Sequence, residues 1–466
     1  MMNHMHRTRW TLGAFAAAAT LAACNVKHDL LDPQNPGLID PSAVGSPTAA
    51  LALRVGALSR YKQLTNGNGT EALWEYSGTL ADEYKNSDFL TDRVVIDQRQ
   101  IDPNNGIISG QTAMYSVVTQ SRGFMRDAIA AMQTYLPDST GLRAEVWAEL
   151  GFFEMSLADN FCNGVPLGHT INGVQTFGTP LTDAQVYDSA SAHLDTALAL
   201  TTATDAGTAG IHNAALIIKA RILVAKGQYA AAAAITGPVP TSYQYAVTFS
   251  GTGGGQNGVW TLVNSIARVT VGDSVDVING TPTTIPNALP FASANDPRVP
   301  TQSGATANPI IGAEDQSTPV FLNLLVKNQF DPIVIASGID ARLVEAEARL
   351  NANDIPGMMT ILNALRAAKP TIGVVAIPAL APLPTPADQN SATSLFFREK
   401  AFWTFGRGQR LQDLRRLVRQ YKRTDGQVFP TGPYFKGGSY GTDENFPIPS
   451  SEQVNPNFSA CLDRNA

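Results

Sequence analysis

The segment ADEYKNSD, residues 81–88, places three carboxyl groups close together, those of Asp82, Glu83 and Asp88. A glycoside hydrolase uses two such groups, one as the acid and one as the nucleophile or base, about 5 to 9.5 Å apart. Spacing along a loop does not fix that distance, and neighbouring acids on loops are usually solvated. We therefore predict that the chain is not an enzyme, and we carry a glycoside hydrolase as an alternative.

Other motifs of catalysis are missing or incomplete. The sequence contains no HExxH and no P-loop. The glycines of GGGQNG, residues 253–258, have GxGxxG spacing, but a dinucleotide site needs a helix directly after them, and VWTLV predicts a strand. The histidines after residue 23 are His28, His169, His193 and His212, and they lack the spacing of metal ligands. We predict no cofactor and no metal.

The N-terminus has the pattern of an export signal. Arg7 and Arg9 precede the short apolar run TLGAFAAAATL, and LAAC ends at Cys24, as in a bacterial lipobox. We predict that residues 1–23 are a signal peptide that is removed and that Cys24 is acylated. Residues 24–46 are rich in Pro, Asn and Asp and are predicted to be a lipid-anchored tether. An ordinary secretory peptide with a chance cysteine is the alternative.

Charge and hydropathy limit the possible partners. The 33 basic and 39 acidic residues argue against a nucleic-acid surface. Asn25, rather than an aspartate, follows the acylated cysteine and favours the outer membrane. No later stretch approaches 18 apolar residues, so lipid is the predicted anchor. Nine basic residues lie between Arg398 and Arg423. We predict that they are paired with acids inside the protein, and a patch for anionic lipids is the alternative.

Helical periodicity dominates the chain after residue 46. We predict a single domain over 47–466 that is mainly α, with tetratricopeptide-like helical hairpins forming a superhelical scaffold, long irregular loops and a few short strands. The predicted helix pairs occupy 110–160, 182–225, 228–236 with a later helix, and 339–368. A loop-rich insertion spans about 238–336. The aromatic segment 73–106 has no steady period, which predicts a surface loop with a helical turn or two.

Several segments together resemble the SusD/RagB family of outer-membrane nutrient-binding lipoproteins. They are the lipobox, LADNFCNGVPLG, RLVEAEARLNANDIPGMMTILNALRAA, REKAFWTFGRGQRLQDLRRL and NFPIPSSEQVNPNF, in family order. The resemblance implies a helical scaffold whose loops bind oligosaccharides or peptides without catalysis. It also implies delivery to a SusC-like TonB-dependent transporter at the cell surface. A periplasm-facing tetratricopeptide adaptor in envelope assembly and a lipid-anchored glycoside hydrolase are the alternatives.

Sugar capture requires aromatic faces and planar polar side chains in irregular segments. In the two predicted loop regions the candidates are Trp74, Tyr76, Asp82, Tyr84, Asn86, Phe89, Arg93, Trp260 and Phe291. The alternative for each aromatic residue is a core position that anchors its loop. Trp147 and Trp403 lie on predicted helices and are expected in the core.

Two cysteines are left once Cys24 is assigned to the lipid. An exported chain with an even remainder favours a disulfide, here between Cys162 and Cys461. Two free thiols, or a pair too far apart, are the alternatives. The bridge would pin the C-terminal tail, which we expect to pack back on the scaffold, to the first half of the chain.

Overall fold

The computed structural model describes residues 45–66, 72–110, 112–171, 174–251 and 255–466. Residues Ser46–Ala466 make one compact unit. The predicted signal peptide, Cys24 and the tether as far as residue 44 lie outside the described residues. Among the residues described, no helix is both long and apolar enough to cross a membrane.

The described part of the chain is mainly helical, as predicted. Its α-helices are α1 (Pro47–Tyr61), α2 (Gln63–Asn66), α3 (Leu73–Leu80), α4 (Thr91–Asp97), α5 (Met114–Tyr135), α6 (Thr140–Asn160), α7 (Asp183–Ala199), α8 (Ala209–Ala225), α9 (Tyr229–Thr236), α10 (Gly338–Asn351), α11 (Ile355–Ala367), α12 (Gln389–Trp403) and α13 (Arg410–Arg419).

The helices pack in chain order. α1 packs on α5, α5 on α6, α6 on α7, and α7 on α8; the series continues through α9, α10 and α11. The four predicted helix pairs are therefore confirmed, including α9, whose later partner is α10. Neighbours in sequence that are neighbours in space are the signature of tetratricopeptide-like scaffolds.

Helix ends follow from local side-chain chemistry. Thr182 accepts the amide N–H of Gln185, and the Gln185 side chain accepts the N–H of Thr182, a capping box that begins α7. Ser337 and Asp340 form the same arrangement at the start of α10. Gly227 separates α8 from α9 with a φ of 74°, a conformation that glycine adopts without strain.

Short antiparallel strand pairs connect the helices. The strands are β1 (Tyr84–Asn86), β2 (Val165–Pro166), β3 (His169–Ile171), β4 (Val174–Thr176), β5 (Pro180–Leu181), β6 (Gln244–Val247), β7 (Val269–Val271), β8 (Val275–Ile278), β9 (Thr281–Thr284), β10 (Thr301–Ser303), β11 (Phe321–Asn323), β12 (Ile333–Ser337), β13 (Thr371–Ile372) and β14 (Val375–Ala376). The pairs are β1–β7, β2–β5, β3–β4, β6–β12, β8–β9, β10–β11 and β13–β14.

One strand prediction inside the insertion is wrong. The VWTLV segment forms part of a π-helix, Trp260–Ser265. The Oδ1 atom of Asn257 accepts the amide N–H of Val259 at 3.0 Å and that of Trp260 at 3.4 Å, which begins a helix directly after the glycines. Asn is among the residues preferred at the start of a helix, because its side-chain oxygen accepts the amide N–H groups of the first turn.

The segment 73–106 is not a surface loop. All eight residues of α3 are buried, and so are the ends of β1 and three residues of α4. The sequence shows no one-sided period there because the segment is enclosed on every side. Buried charges such as Arg93, which pairs with Asp88, interrupt the apolar pattern further.

Six of the nine cations in the basic run from Arg398 to Arg423 pair with acids inside the protein, which agrees with the prediction for those six. Four of its ion pairs are Lys400–Asp413 at 2.6 Å, Arg407–Asp340 at 2.5 Å, Arg410–Asp82 at 2.9 Å and Arg415–Asp183 at 2.8 Å. The partners of α13 come from segments far away in the chain. This helix therefore joins the two halves of the scaffold.

A disulfide joins Cys162 to Cys461, which confirms the predicted pairing. The tail beside it also packs on the scaffold. The amide of Phe446 donates to the carbonyl of Asn160 at 2.9 Å, and the amide of Cys162 donates to the carbonyl of Phe446 at 2.9 Å. The rings of Phe161 and Phe446 lie 5.7 Å apart.

Candidate ligand-binding surface

Most of the predicted ligand residues are buried. Seven of the nine have no face open to a ligand: Trp74, Tyr76, Asp82, Tyr84, Asn86, Arg93 and Phe291. Only Phe89, which is 70% exposed, and the half-buried Trp260 present a ring to solvent. These seven candidates are therefore corrected to buried residues that present no surface to a ligand.

The buried aromatic side chains hold the loops to the helices. The ring of Trp74 lies 6.4 Å from that of Phe152, and the ring of Tyr84 lies 5.3 Å from that of Phe405. Phe291 packs on the same Phe405 at 4.9 Å. Trp74, Tyr84 and Phe291 are therefore core residues that anchor their segments, which was the alternative considered for each aromatic candidate. Trp403, expected in the core, is fully buried.

The buried polar candidates are occupied by protein partners. The Nε atom of Arg93 donates to the hydroxyl of Tyr76 at 2.8 Å. The amide N–H of Asn86 donates to Asp97 at 2.8 Å, and its Oδ1 accepts from the amide of Asp88 at 2.8 Å. These contacts fix the turn that carries Phe89 at the surface.

The carboxyl groups considered for hydrolysis are enclosed as well. Asp82 accepts two hydrogen bonds from Arg410, and Glu83 accepts the amide N–H of Gly406 at 3.0 Å. Burial raises the pKa of Glu83 to about 8, and Gly406 and Arg410 offset only part of that effect. Asp88 is paired with Arg93 and is 1% exposed. A polysaccharide chain has no path to this set of carboxyl groups.

An accessible aromatic surface occurs instead at the start of the π-helix. We define the Trp260 surface as Trp260, Phe330, Gln256 and Gln329. Phe330 is 40% exposed, and Gln256 is also exposed. The Nε2 atom of Gln256 donates to the Oε1 atom of Gln329 at 2.7 Å. Gln256 lies four residues before Trp260, and Gln329 directly precedes Phe330. The hydrogen-bonded amides therefore join the two segments that carry the aromatic residues.

Buried Asn257 positions this surface. Its amide N–H donates to the carbonyl of Gln329 at 2.7 Å, and its Nδ2 donates to the carbonyl of Asp331 at 2.7 Å. The Oδ1 atom of the same side chain begins the π-helix that carries Trp260. One side chain thus sets both halves of the surface. π-helical turns occur frequently at functional sites.

The chemistry of the Trp260 surface suits a sugar. Aromatic rings stack on the apolar faces of pyranose rings, and primary amides both donate to and accept from hydroxyl groups. Gln256, Gln329 and Phe330 were not among the predicted residues. The Gln-Asn-Gly and Asn-Gln-Phe triplets at 256–258 and 328–330, with amides beside an exposed aromatic residue, are the signal that could have identified them.

A cavity beneath this surface is too small for a sugar ring. It has a volume of about 30 Å³, and its lining includes Val259, Val326, Ile333 and Phe405. A volume of this size accommodates a water molecule, whereas small-molecule pockets measure about 300–1,000 Å³. Ligand binding is therefore expected on the open surface.

Phe89 lies on a second surface, which sequence reasoning found only in part. We define the Phe89 surface as Phe89, Phe435, Lys85, Arg268 and Lys436. The Lys85 ammonium lies 3.7 Å from the centroid of the Phe435 ring, and Lys436 donates to the backbone carbonyl of Asp88, beside Phe89. The signal in the sequence was GPYFKGG, residues 432–438, a tight glycine-rich loop that presents a Phe and a Lys.

Comparison with known proteins identifies the fold. No protein-family model and no curated protein matches the chain. Solved structures do match. A SusD superfamily protein from Bacteroides vulgatus has 16% sequence identity and a TM-score of 0.60, with 90% of this chain and 99% of that chain covered.

Two further matches carry functional names. A laminarin-binding SusD-like protein is 15% identical with a TM-score of 0.62, covering 90% of this chain and 99% of the other. Surface glycan-binding protein A from Bacteroides uniformis is 12% identical with a TM-score of 0.62, covering 89% and 99%. The chain therefore has the fold of the SusD superfamily, and the resemblance drawn from the sequence is confirmed at the level of the fold.

Proposed function

We propose that this protein captures oligosaccharides on the Trp260 surface and does not cleave them. The observation that carries the proposal is the Gln256–Gln329 hydrogen bond, which joins the two segments that carry Trp260 and the exposed Phe330. The names of the structural neighbours that bind laminarin or surface glycans support the same ligand class. Burial of Asp82, Glu83 and Asp88 supports the absence of catalysis.

The wider role follows from the fold and the N-terminal sequence. We infer that Cys24 carries the lipid, that the protein lies on the outside of the outer membrane, and that it delivers its ligand to a SusC-like TonB-dependent transporter. Protease treatment of intact cells tests the orientation: a surface protein is degraded, whereas a fully protected protein would contradict this placement. Co-purification with a TonB-dependent transporter from detergent extracts tests the partner.

Binding is tested on glycan and peptide arrays with the purified protein in detergent, followed by calorimetry with the strongest ligand. We expect neutral oligosaccharides to bind, and we expect Trp260→Ala to weaken the affinity by about thirty-fold, since loss of a central aromatic contact costs about 2 kcal/mol. Gln329→Ala should weaken binding by roughly five-fold, as expected for one hydrogen bond.

Phe89→Ala is the matched control, because it also removes an exposed aromatic ring but lies on the other surface. It should bind the same neutral ligand with unchanged affinity. If only peptides bind on the arrays, the ligand of this protein is a peptide and the proposal of an oligosaccharide ligand is wrong. Release of reducing ends from the bound glycan would overturn the proposal that the protein is not a hydrolase.

A further inference from the structure

The Phe89 surface has cations on the outside and acids beneath them. The side chains of Lys85, Arg268 and Lys436 are 15%, 29% and 16% exposed. Their carboxylate partners are buried. Asp276 is 4% exposed, Asp88 is 1% exposed and Asp315 is 8% exposed, each measured over the side chain.

At this place one buried carboxylate is shared by two cations. Asp88 pairs with two guanidinium groups, those of Arg93 and Arg268. Burial acts to raise the pKa of Asp88, but the amide of Leu90 and the two guanidinium groups outweigh it and leave the pKa lowered. One carboxylate therefore serves two cations. Asp97 lies close to Lys85, and burial raises the pKa of Asp97 to about 7, so it supplies only part of a charge at neutral pH.

Arg268 has donor groups that the protein leaves unused. Its Nη1 atom donates to Asp88 at 3.1 Å, while its Nε atom is buried without a partner. A guanidinium group has five N–H donors in a planar fork that fits carboxylate and sulfate groups. Because the Nε atom is buried, a ligand can reach this guanidinium group only through its Nη atoms.

The aromatic rings lie directly beside these charges. Phe89 follows Asp88 in the chain and is 70% exposed, the most exposed phenylalanine of the described residues. Phe435 is half-buried, and its ring lies 3.7 Å from the Lys85 ammonium and 5.4 Å from that of Lys436. The surface thus combines stacking faces with outward cations. The chain as a whole has a net charge of -6, so this cationic face runs against the overall balance.

We propose that the Phe89 surface is a second saccharide-binding site, which takes sugars that carry carboxylate or sulfate groups. The carboxylate or sulfate group of the sugar accepts hydrogen bonds from Arg268 and Lys436, and the sugar ring beside it stacks on Phe89. The proposal rests on the proposed function, since it assigns an anionic class of saccharide to a surface separate from Trp260. Glu314, next to Asp315, is an exposed acid, and its negative charge opposes such a ligand.

The test compares matched polymers on the full-length protein in detergent. Dextran, dextran sulfate and oligogalacturonate are titrated at low and high salt. We expect dextran sulfate or oligogalacturonate to bind at least ten-fold more tightly than dextran at 50 mM salt, and to weaken as salt rises. Arg268→Gln and Phe89→Ala should each weaken binding of the anionic polymer roughly ten-fold, a loss of about 1.4 kcal/mol.

Two controls keep the proposal open to refutation. Lys369→Gln removes an exposed positive charge on the loop after α11 and should leave binding of the anionic polymer unchanged. Trp260→Ala should also leave it unchanged while it weakens the binding of neutral glycans by about thirty-fold. Anionic polymers that bind no better than dextran, or that lose equal affinity in Lys369→Gln and Arg268→Gln, would overturn the second site. Neutral capture at Trp260 would then stand by itself.

Discussion

Glu83 is a carboxyl group without an ion-pair partner in the interior of the protein. Its side chain is fully buried, one oxygen accepts the amide N–H of Gly406, and the other oxygen has no partner. The cost of desolvating the charged form raises its pKa to about 8. The group is therefore mainly protonated at neutral pH. A protein folded around a neutral acid becomes less stable when that acid must ionise.

The expected pH dependence has a definite sign. The pKa of Glu83 in the folded protein lies above its unfolded value of 4.5, so its contribution is complete below pH 4.5 and is lost as the pH rises through about 8. The free energy of unfolding should fall between pH 5 and pH 9 by on the order of 2–4 kcal/mol more in the wild type than in Glu83→Gln. Urea denaturation at pH 5, 7 and 9 measures this difference. Parallel losses in the two proteins would show that Glu83 is not the group responsible.

Residue type alone does not separate exposed aromatic residues from buried ones. Trp260 and Phe89, which belong to the two proposed ligand surfaces, were selected because aromatic residues in irregular segments are candidates for sugar binding. The same rule also selected Trp74, Tyr84 and Phe291, which are buried. A single sequence does not distinguish these two outcomes, because burial in segment 73–106 comes from contacts with distant parts of the chain, such as Phe405.

At the scale of the elements, the link between α12 and α13 depends on two glycines. Gly406 has a φ of 66° and Gly408 a φ of 63°. A Cβ atom on Gly408 would lie 2.6 Å from Cδ1 of Trp74. The link therefore needs a residue that adopts positive φ and has no side chain.

Gly408→Ala is expected to destabilise the protein by about 2–5 kcal/mol. The left-handed conformation costs an alanine about 1–2 kcal/mol, and the collision with the Trp74 ring adds about 1–3 kcal/mol. Gly210→Ala is the control, since Gly210 lies in the first turn of α8 with open space around it. That change should be neutral or stabilising by up to about 1 kcal/mol. Thermal and urea denaturation compare the two variants, and equal stabilities would contradict the role of Gly408.

The long helices were predictable because their apolar residues recur at spacings of three and four, and all four helix pairs were found in this way. The elements that were missed are short and show no such repeat. α3 is buried on every side, and the π-helix begins with a capping contact from Asn257 rather than with an apolar period. The Gln256–Gln329 pair joins segments 73 positions apart, a contact that no local pattern contains.

At the scale of the whole molecule, the C-terminal tail is joined to the first half of the scaffold by a disulfide. Cys162 directly follows α6, and Cys461, its partner, lies 299 positions further along the chain. Asn163 and Asp463 add a side-chain hydrogen bond of 2.9 Å beside the bridge. Arg415 of α13 donates to the carbonyls of Ala158 and Asp159 at the end of the same helix. The end of α6 is therefore the meeting point of the first half of the scaffold, α13 and the tail.

Removal of the disulfide should destabilise the protein through the unfolded state. A cross-link over so long a loop restricts the unfolded chain strongly, and the entropic estimate is roughly 5 kcal/mol, which residual structure in the unfolded state reduces. The double variant Cys162→Ala and Cys461→Ala should lose about 2–5 kcal/mol of unfolding free energy in urea, with ligand affinity unchanged because neither ligand surface contains these residues. Thiol titration of the unfolded, unreduced wild type should find neither cysteine free. Two reactive thiols, or a variant as stable as the wild type, would show that the hydrogen bonds of the tail hold it in place without the bridge.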